Sequence, residues 1–219
     1  MKLNPFCMCC QLNKQEEKIR QFDDEEKKLA YMKEICRIFS EAEDKHCSPS
    51  LSVEFNKLYS DFWGIPAKDY TEIKKEFNTL MMELEDKLRT IIKESADPLE
   101  SALIHARIGN YIDFAAMENV SRETLLSMIE SENKEPLDPE EYTRFKEEMA
   151  EAKSLVYLTD NCGEIVLDKL AIEILKELYP NTEITVIVRG LPVVNDATMR
   201  TPECAVLQSL LRLLETETT

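Results

Sequence analysis

The sequence predicts an α/β protein in two parts: an all-helical region over residues 1–150, then an α/β region with a mainly parallel sheet over residues 151–219. Three observations carry this reading. Apolar residues recur at helical spacing, with charges between them, through most of the first part. Ser154–Thr159 and Glu183–Val188 are short runs rich in β-branched and aromatic residues, which read as strands, the first of them buried. Between them an amphipathic stretch opens at Glu164, with Ile165, Val166, Leu167, Leu170, Ile172, Ile174, Leu175 and Leu178 as its apolar positions. Strand, helix and strand make one βαβ unit, so the two strands are expected to run parallel with a right-handed crossover.

The elements follow in order. Cys7 and Cys10 have the C-x-x-C spacing that can hold zinc or form a redox pair, although a local structural turn is the simpler reading. Gln15–Glu43 reads as one long helix through Ile19, Phe22, Leu29, Met32, Ile35, Cys36 and Phe39. Ser48 caps a second helix with Pro49 in its first turn, and that helix ends near Trp63 and Gly64. Asp69–Ser95 is a third, with Ile73, Phe77, Leu80, Met81, Leu84, Leu88 and Ile91 on its apolar stripe. Asp97-Pro98 starts a fourth, which stops at Gly109-Asn110. His105 within it reads as a satisfied histidine rather than a ligand. Ser121–Thr124 begins a short helix, residues 130–140 form an exposed connection, and Asp138-Pro139 caps a helix to about Lys153 with Tyr142, Phe145 and Met149 inward. A last helix is expected over Pro202–Glu215.

Composition excludes several classes. The net charge is −16 and no Lys/Arg-rich run stands out, which argues against nucleic acid and anionic lipid as partners. No apolar run approaches about 18 residues, so no membrane span is expected. The opening MKLNPF lacks the apolar core of a signal peptide, and seven cysteines, an odd number, fit reduced thiols. A cytoplasmic location is therefore expected. With only 4 glycines there is no glycine-rich phosphate loop, which removes support for a nucleotide fold.

The chemistry concentrates at two places. Asp160 and Asn161 follow the first strand, before a Cys162-Gly163 turn. Arg189, Gly190, Pro192, Asn195, Asp196 and Thr198 follow the second. Parallel strands about 4.8 Å apart bring both clusters to one sheet edge, the edge where open α/β sheets bind ligands. Asp160, Asn161 and Asp196 can converge there. Two carboxylates and an amide oxygen suit a hard divalent cation, magnesium or manganese. The plainer alternative makes Asp160 a helix cap and Asp196 a turn residue.

The segments T-D-N-C-G-E-I-V-L-D (Thr159–Asp168) and V-R-G-L-P-V-V-N-D-A-T (Val188–Thr198), together with G-N-Y-I-D-F (Gly109–Phe114), resemble the damage-control phosphatase family. The early C-x-x-C resembles the mark of its prokaryotic branch. The resemblance runs from about Cys7 to Thr198 and implies a doubly wound, mainly parallel α/β sheet. It further implies a metal-dependent phosphatase acting on small phosphorylated metabolites, often sugar phosphates. The metal, Mn2+, Co2+, Ni2+ or Mg2+, is then held by Asp160, Asn161 and Asp196, which also form the catalytic centre. Substrate-binding positions implied are Glu164, Asn110, Asp113, Arg189, Asn195 and Thr198.

The chain departs from the family after N-D-A-T. Thr201 stands where relatives continue with Asp, and no K-G-x-G-N motif follows. These departures lead to the expectation of an incomplete member with an incomplete sheet, an exposed sheet edge and a tendency to associate. Two alternatives stay open at this point. One is a phosphometabolite- or metal-binding protein without turnover; the other is a helical interaction protein with an inactive α/β end. The oligomeric state is left open by the acidic helices.

Overall fold

In a computed structural model, the described residues are 3–43, 46–66, 71–111, 127, 135–190, 197–198 and 212–215. The chain divides into two units, Met1–Asp69 and Tyr70–Thr219. The change from helix to strand falls elsewhere, after residue 151.

Among the described residues, the first unit holds three helices: α1 (Pro5–Ile19), α2 (Glu25–Glu41) and α3 (Ser48–Trp63). The single long helix expected over Gln15–Glu43 is thus two. The break has a local cause: Asp24 turns its side chain onto the backbone N–H of Lys27 at 2.9 Å and starts α2 afresh. Phe22, in the break, stacks on Trp63 with ring centroids 4.0 Å apart. The C-x-x-C segment is helical rather than a turn, because Asn4 Oδ1 accepts from Cys7 N at 2.8 Å and caps α1. At α3 the cap is Cys47 rather than Ser48; its N–H donates to Ser50 Oγ at 3.0 Å. Tyr31, Ile35, Phe39, Leu51, Phe55 and Tyr59 form the core of this unit.

The second unit contains α4 (Thr71–Lys93), α5 (Pro98–Tyr111), α6 (Pro139–Glu151), β1 (Ser154–Leu158), α7 (Glu164–Leu178), β2 (Glu183–Val188) and β3 (Arg212–Glu215). The strands form one sheet in the order β1-β2-β3, and both pairings are parallel. The βαβ unit stands as expected. Arg212–Glu215 corrects the expected final helix: it is a strand beside β2, with Thr185 opposite Arg212 and Val188 opposite Glu215. The open edge of β2 offers unpaired backbone groups, and pairing there overrides a helical leucine pattern. Residues 202–211, like Ser121–Thr124, lie outside the described residues.

Helix α7 covers one face of the sheet. Ile184, Val186 and Val188 are buried with Leu167, Leu170, Ala171 and Ile174 in the core of this unit, and Leu155 and Tyr157 pack against it. The alternate residues turn away, so β1 is not the fully buried strand expected: Val156 is 57% exposed and Leu158 71%. Helix α4 is pinned to α7 by Lys169–Glu85 at 2.5 Å and Arg89–Glu173 at 2.9 Å. Helix α6 begins at Asp138, which caps Glu140 N and Glu141 N at 3.0 Å each. Among the described residues no helix is long and apolar enough to cross a membrane.

Candidate functional site

The site forms where β1 ends. Thr159 N–H donates to Ile187 O at 3.1 Å, which extends the strand pairing by one residue. Asp160 then leaves the sheet. Its carbonyl accepts from Ala197 N at 2.7 Å, Ala197 O accepts from Arg189 N at 3.2 Å, and Arg189 bridges to Thr198. The backbone of Ala197, after β2, is thereby joined both to Asp160, after β1, and to Arg189. Asp196, Asn195 and Asp113 lie outside the described residues.

The turn into α7 is tight. Gly163 has φ 82° and ψ −50°, in a region that side chains other than glycine rarely adopt. Ile165 N bonds Asn161 O at 3.2 Å, and Val166 N bonds Gly163 O at 3.2 Å. From the opposite side, Asn78 of α4 accepts the Gly163 N–H on Oδ1 at 2.5 Å.

Glu164 is the hub. Its carboxylate accepts from Asn161 N at 3.1 Å and Asn161 Nδ2 at 3.1 Å. It also accepts from Asn110 Nδ2 at 3.2 and 3.3 Å. Asn110 was expected just past a helix end. Helix α5 instead runs through Gly109 and Asn110 to Tyr111. The reason is packing: a Cβ on Gly109 would lie 3.0 Å from Leu167 Cδ1 and 3.2 Å from Glu164 Cα, so glycine here allows α5 to approach α7. The approach brings Asn110 to Glu164 and to Asp160 Oδ2, the latter at 3.4 Å.

Electrostatics follow from burial. Glu164 is 7% exposed, and its carboxyl is pushed up by that burial, with Asp160 adding to the shift and the asparagine donors opposing it. One turn on, Asp168 is 2% exposed. Burial, then the Glu164 charge, pushes its carboxyl well above the usual range. Tyr157 OH donates to Asp168 Oδ1 at 2.7 Å, whereas Asp168 Oδ2 has no hydrogen-bond partner among the described residues.

Sequence reasoning did not single out Asp168 or Asn78. Both had a signal: each is a polar residue on an otherwise apolar helical face, Asp168 beside Leu167 and Leu170, Asn78 beside Phe77 and Met81. His105 matches its expectation, fully buried with Nδ1 2.7 Å from Ser101 O.

The donors fit a hard divalent cation. Asn161 commits its Nδ2 to Glu164, so its amide oxygen is directed away from that carboxylate. Asp160 adds a half-buried carboxylate, and a cation bound there would relieve the crowded acids at Glu164 and Asp168. Among the described residues no group of three His, Cys, Asp or Glu gathers to hold a metal, and Asp196 lies outside them.

A parallel sheet with acids and amides beyond the end of its first strand defines an α/β protein. The damage-control phosphatase ARMT1-like domain matches residues 3–211, and the chain belongs to that family. It is 27% identical over 203 residues to a damage-control phosphatase of Archaeoglobus fulgidus, spanning 91% of this chain and 68% of the relative. It is 32% identical over 144 residues to a damage-control phosphatase of Pyrococcus horikoshii, spanning 65% and 49%. A crystal structure of a DUF89 family protein from Pyrococcus horikoshii superposes with a TM-score of 0.64 at 24% identity, over 100% of this chain and 75% of that one. That likeness shows the α/β fold.

Proposed function

We propose that this chain is a metal-dependent phosphatase that hydrolyses small phosphorylated metabolites such as sugar phosphates, in metabolite repair. Asp160, Asn161 and Asp196 would hold the cation, Mn2+, Co2+, Ni2+ or Mg2+. Family membership supports the reaction class. The observation that carries the site is the bond from Asn161 Nδ2 to Glu164, which orients the amide for an oxygen-donating role at the end of β1.

When bound, the cation supplies charge neutralisation at a phosphoryl oxygen and a more acidic water. The chain's own residues do the rest. Asp160 and Asn161 present oxygen donors from the strand end. Glu164 locks Asn161 and Asn110 by accepting from both. Arg189, at the end of β2, brings positive charge to the phosphate. Asn110, exposed beside Glu164, would border the substrate, and Asp113, Asn195 and Thr198 are the further substrate-binding positions of this reading. The first turn of α7 adds a helix N-terminus, which favours an anion.

The test is phosphate release from a panel of sugar phosphates with each of the four metals, on the wild type, Asp160→Asn and Asp196→Asn. Metal-dependent release that both variants lose is expected. Release without metal, or release that survives both substitutions, overturns the assignment.

A further inference from the structure

We propose that Asn78 is a positioning residue for the site: from α4 it fixes the backbone of the Cys162-Gly163 turn and thereby sets Asn161 against Glu164. The inference rests on the metal-site reading above and adds a residue from the helical layer to it.

Asn78 is 2% exposed and stands 85 residues upstream of the turn. An amide on a buried stripe must find partners, because a buried polar group left unmet is costly. Its Oδ1 meets the N–H of Gly163, one of the two residues between Asn161 and Glu164 in the turn and the one with positive φ. That conformation is compact and strained, and such backbone persists where surrounding contacts over-determine it. The contact runs from α4, which the Lys169–Glu85 and Arg89–Glu173 pairs clamp to α7 downstream. The turn is therefore held from outside by a rigid element. An apolar side chain at 78 leaves the buried Gly163 N–H unmet. The turn then relaxes, and Asn161 and Glu164, one on each side, lose their mutual placement.

The experiment measures free Mn2+ by electron paramagnetic resonance during titration of the full chain, for the wild type, Asn78→Leu and Asn78→Asp. Far-ultraviolet circular dichroism and melting temperature check folding in parallel. Asn78→Leu is expected to weaken Mn2+ binding by about tenfold or more with helical content retained. Asn78→Asp keeps the acceptor and is expected within about threefold of the wild type. Where Asn78→Leu does not fold, Asn78→Ser, too short to reach Gly163, takes its place with the same expected loss. A lowered melting temperature with unchanged Mn2+ affinity overturns the proposal, as does equal loss in Asn78→Asp and Asn78→Leu. Absence of Mn2+ binding by the wild type overturns the metal-site reading itself, and this inference with it.

Discussion

Asn110 Nδ2 lies 3.2 Å from Glu164 Oε1, 3.3 Å from Glu164 Oε2 and 3.4 Å from Asp160 Oδ2. One exposed amide thus caps two acids, one of them buried. Asn110→Leu removes the donor and leaves Glu164 to Asn161 alone. The expected loss is about 1 kcal/mol of stability, the worth of one hydrogen bond from an exposed amide donor. Urea unfolding of the metal-free chain reads it directly, and an unchanged midpoint would show that water replaces the amide at no cost.

Gly109→Ala sets two effects against each other. Alanine is the better helix former by about 1 kcal/mol. Its Cβ, however, would sit 3.0 Å from Leu167 Cδ1, 3.1 Å from Glu164 Cγ and 3.2 Å from the Glu164 backbone. The side-chain neighbours can shift; the α7 backbone cannot without moving the helix. The clash is expected to win, with a net loss of about 1–3 kcal/mol as for other overpacked cores. A melting temperature above the wild type's would show that α5 and α7 separate freely.

Asp160→Asn is expected to split stability from function. Asp160 adds to the upward push on both Glu164 and Asp168, so removing its charge relieves two buried acids. The metal-free variant should melt at or above the wild-type temperature. It should also lose Mn2+-dependent stabilisation, since a ligand that binds only the native state raises its stability through that site. Differential scanning fluorimetry with and without Mn2+ measures both effects at once.

The βαβ unit was legible because its signals are local. Strand composition, the glycine turn and the apolar face of α7 each lie within a few residues, and the pairing of Ser154 with Glu183 through Leu158 with Ile187 follows from them. The convergence of Asp160 with the segment after β2 was legible for the same reason. What escaped was set by distant contacts. Asp24 outbid a continuous helical periodicity through one cap, and β3 took its form from the edge of β2. Gly109 looked like a helix stop because its neighbour Glu164 lies 55 positions away in sequence. Asp168 and Asn78 carried a weak signal, one polar residue on an apolar face. Its meaning depends on what faces it: Tyr157 for the first and Gly163 for the second.

The last prediction concerns Asp168 and pH. In the unfolded chain this acid ionises near its ordinary value of 3.8, whereas burial keeps its proton in the folded chain to a much higher pH. Between those values the folded state binds more protons than the unfolded state. Its contribution to stability is therefore fully present below the unfolded value and is lost as pH rises toward the folded one. The slope approaches about 1.4 kcal/mol per pH unit for one whole proton. Asp168→Asn has no proton to lose, and its Oδ1 can still accept from Tyr157 OH. Its Nδ2 adds a pH-independent cost as an unmet donor. Glu164 is shifted the same way and its charge acts on Asp168, so the difference reads Asp168 together with its coupling to Glu164. Urea unfolding in chelator, from about pH 5 to about pH 8, should show the variant gaining on the wild type as pH rises. A difference that stays flat over that range would mean that folded Asp168 is already ionised at its lower end, and that a cation or donor beyond Tyr157 meets its second oxygen.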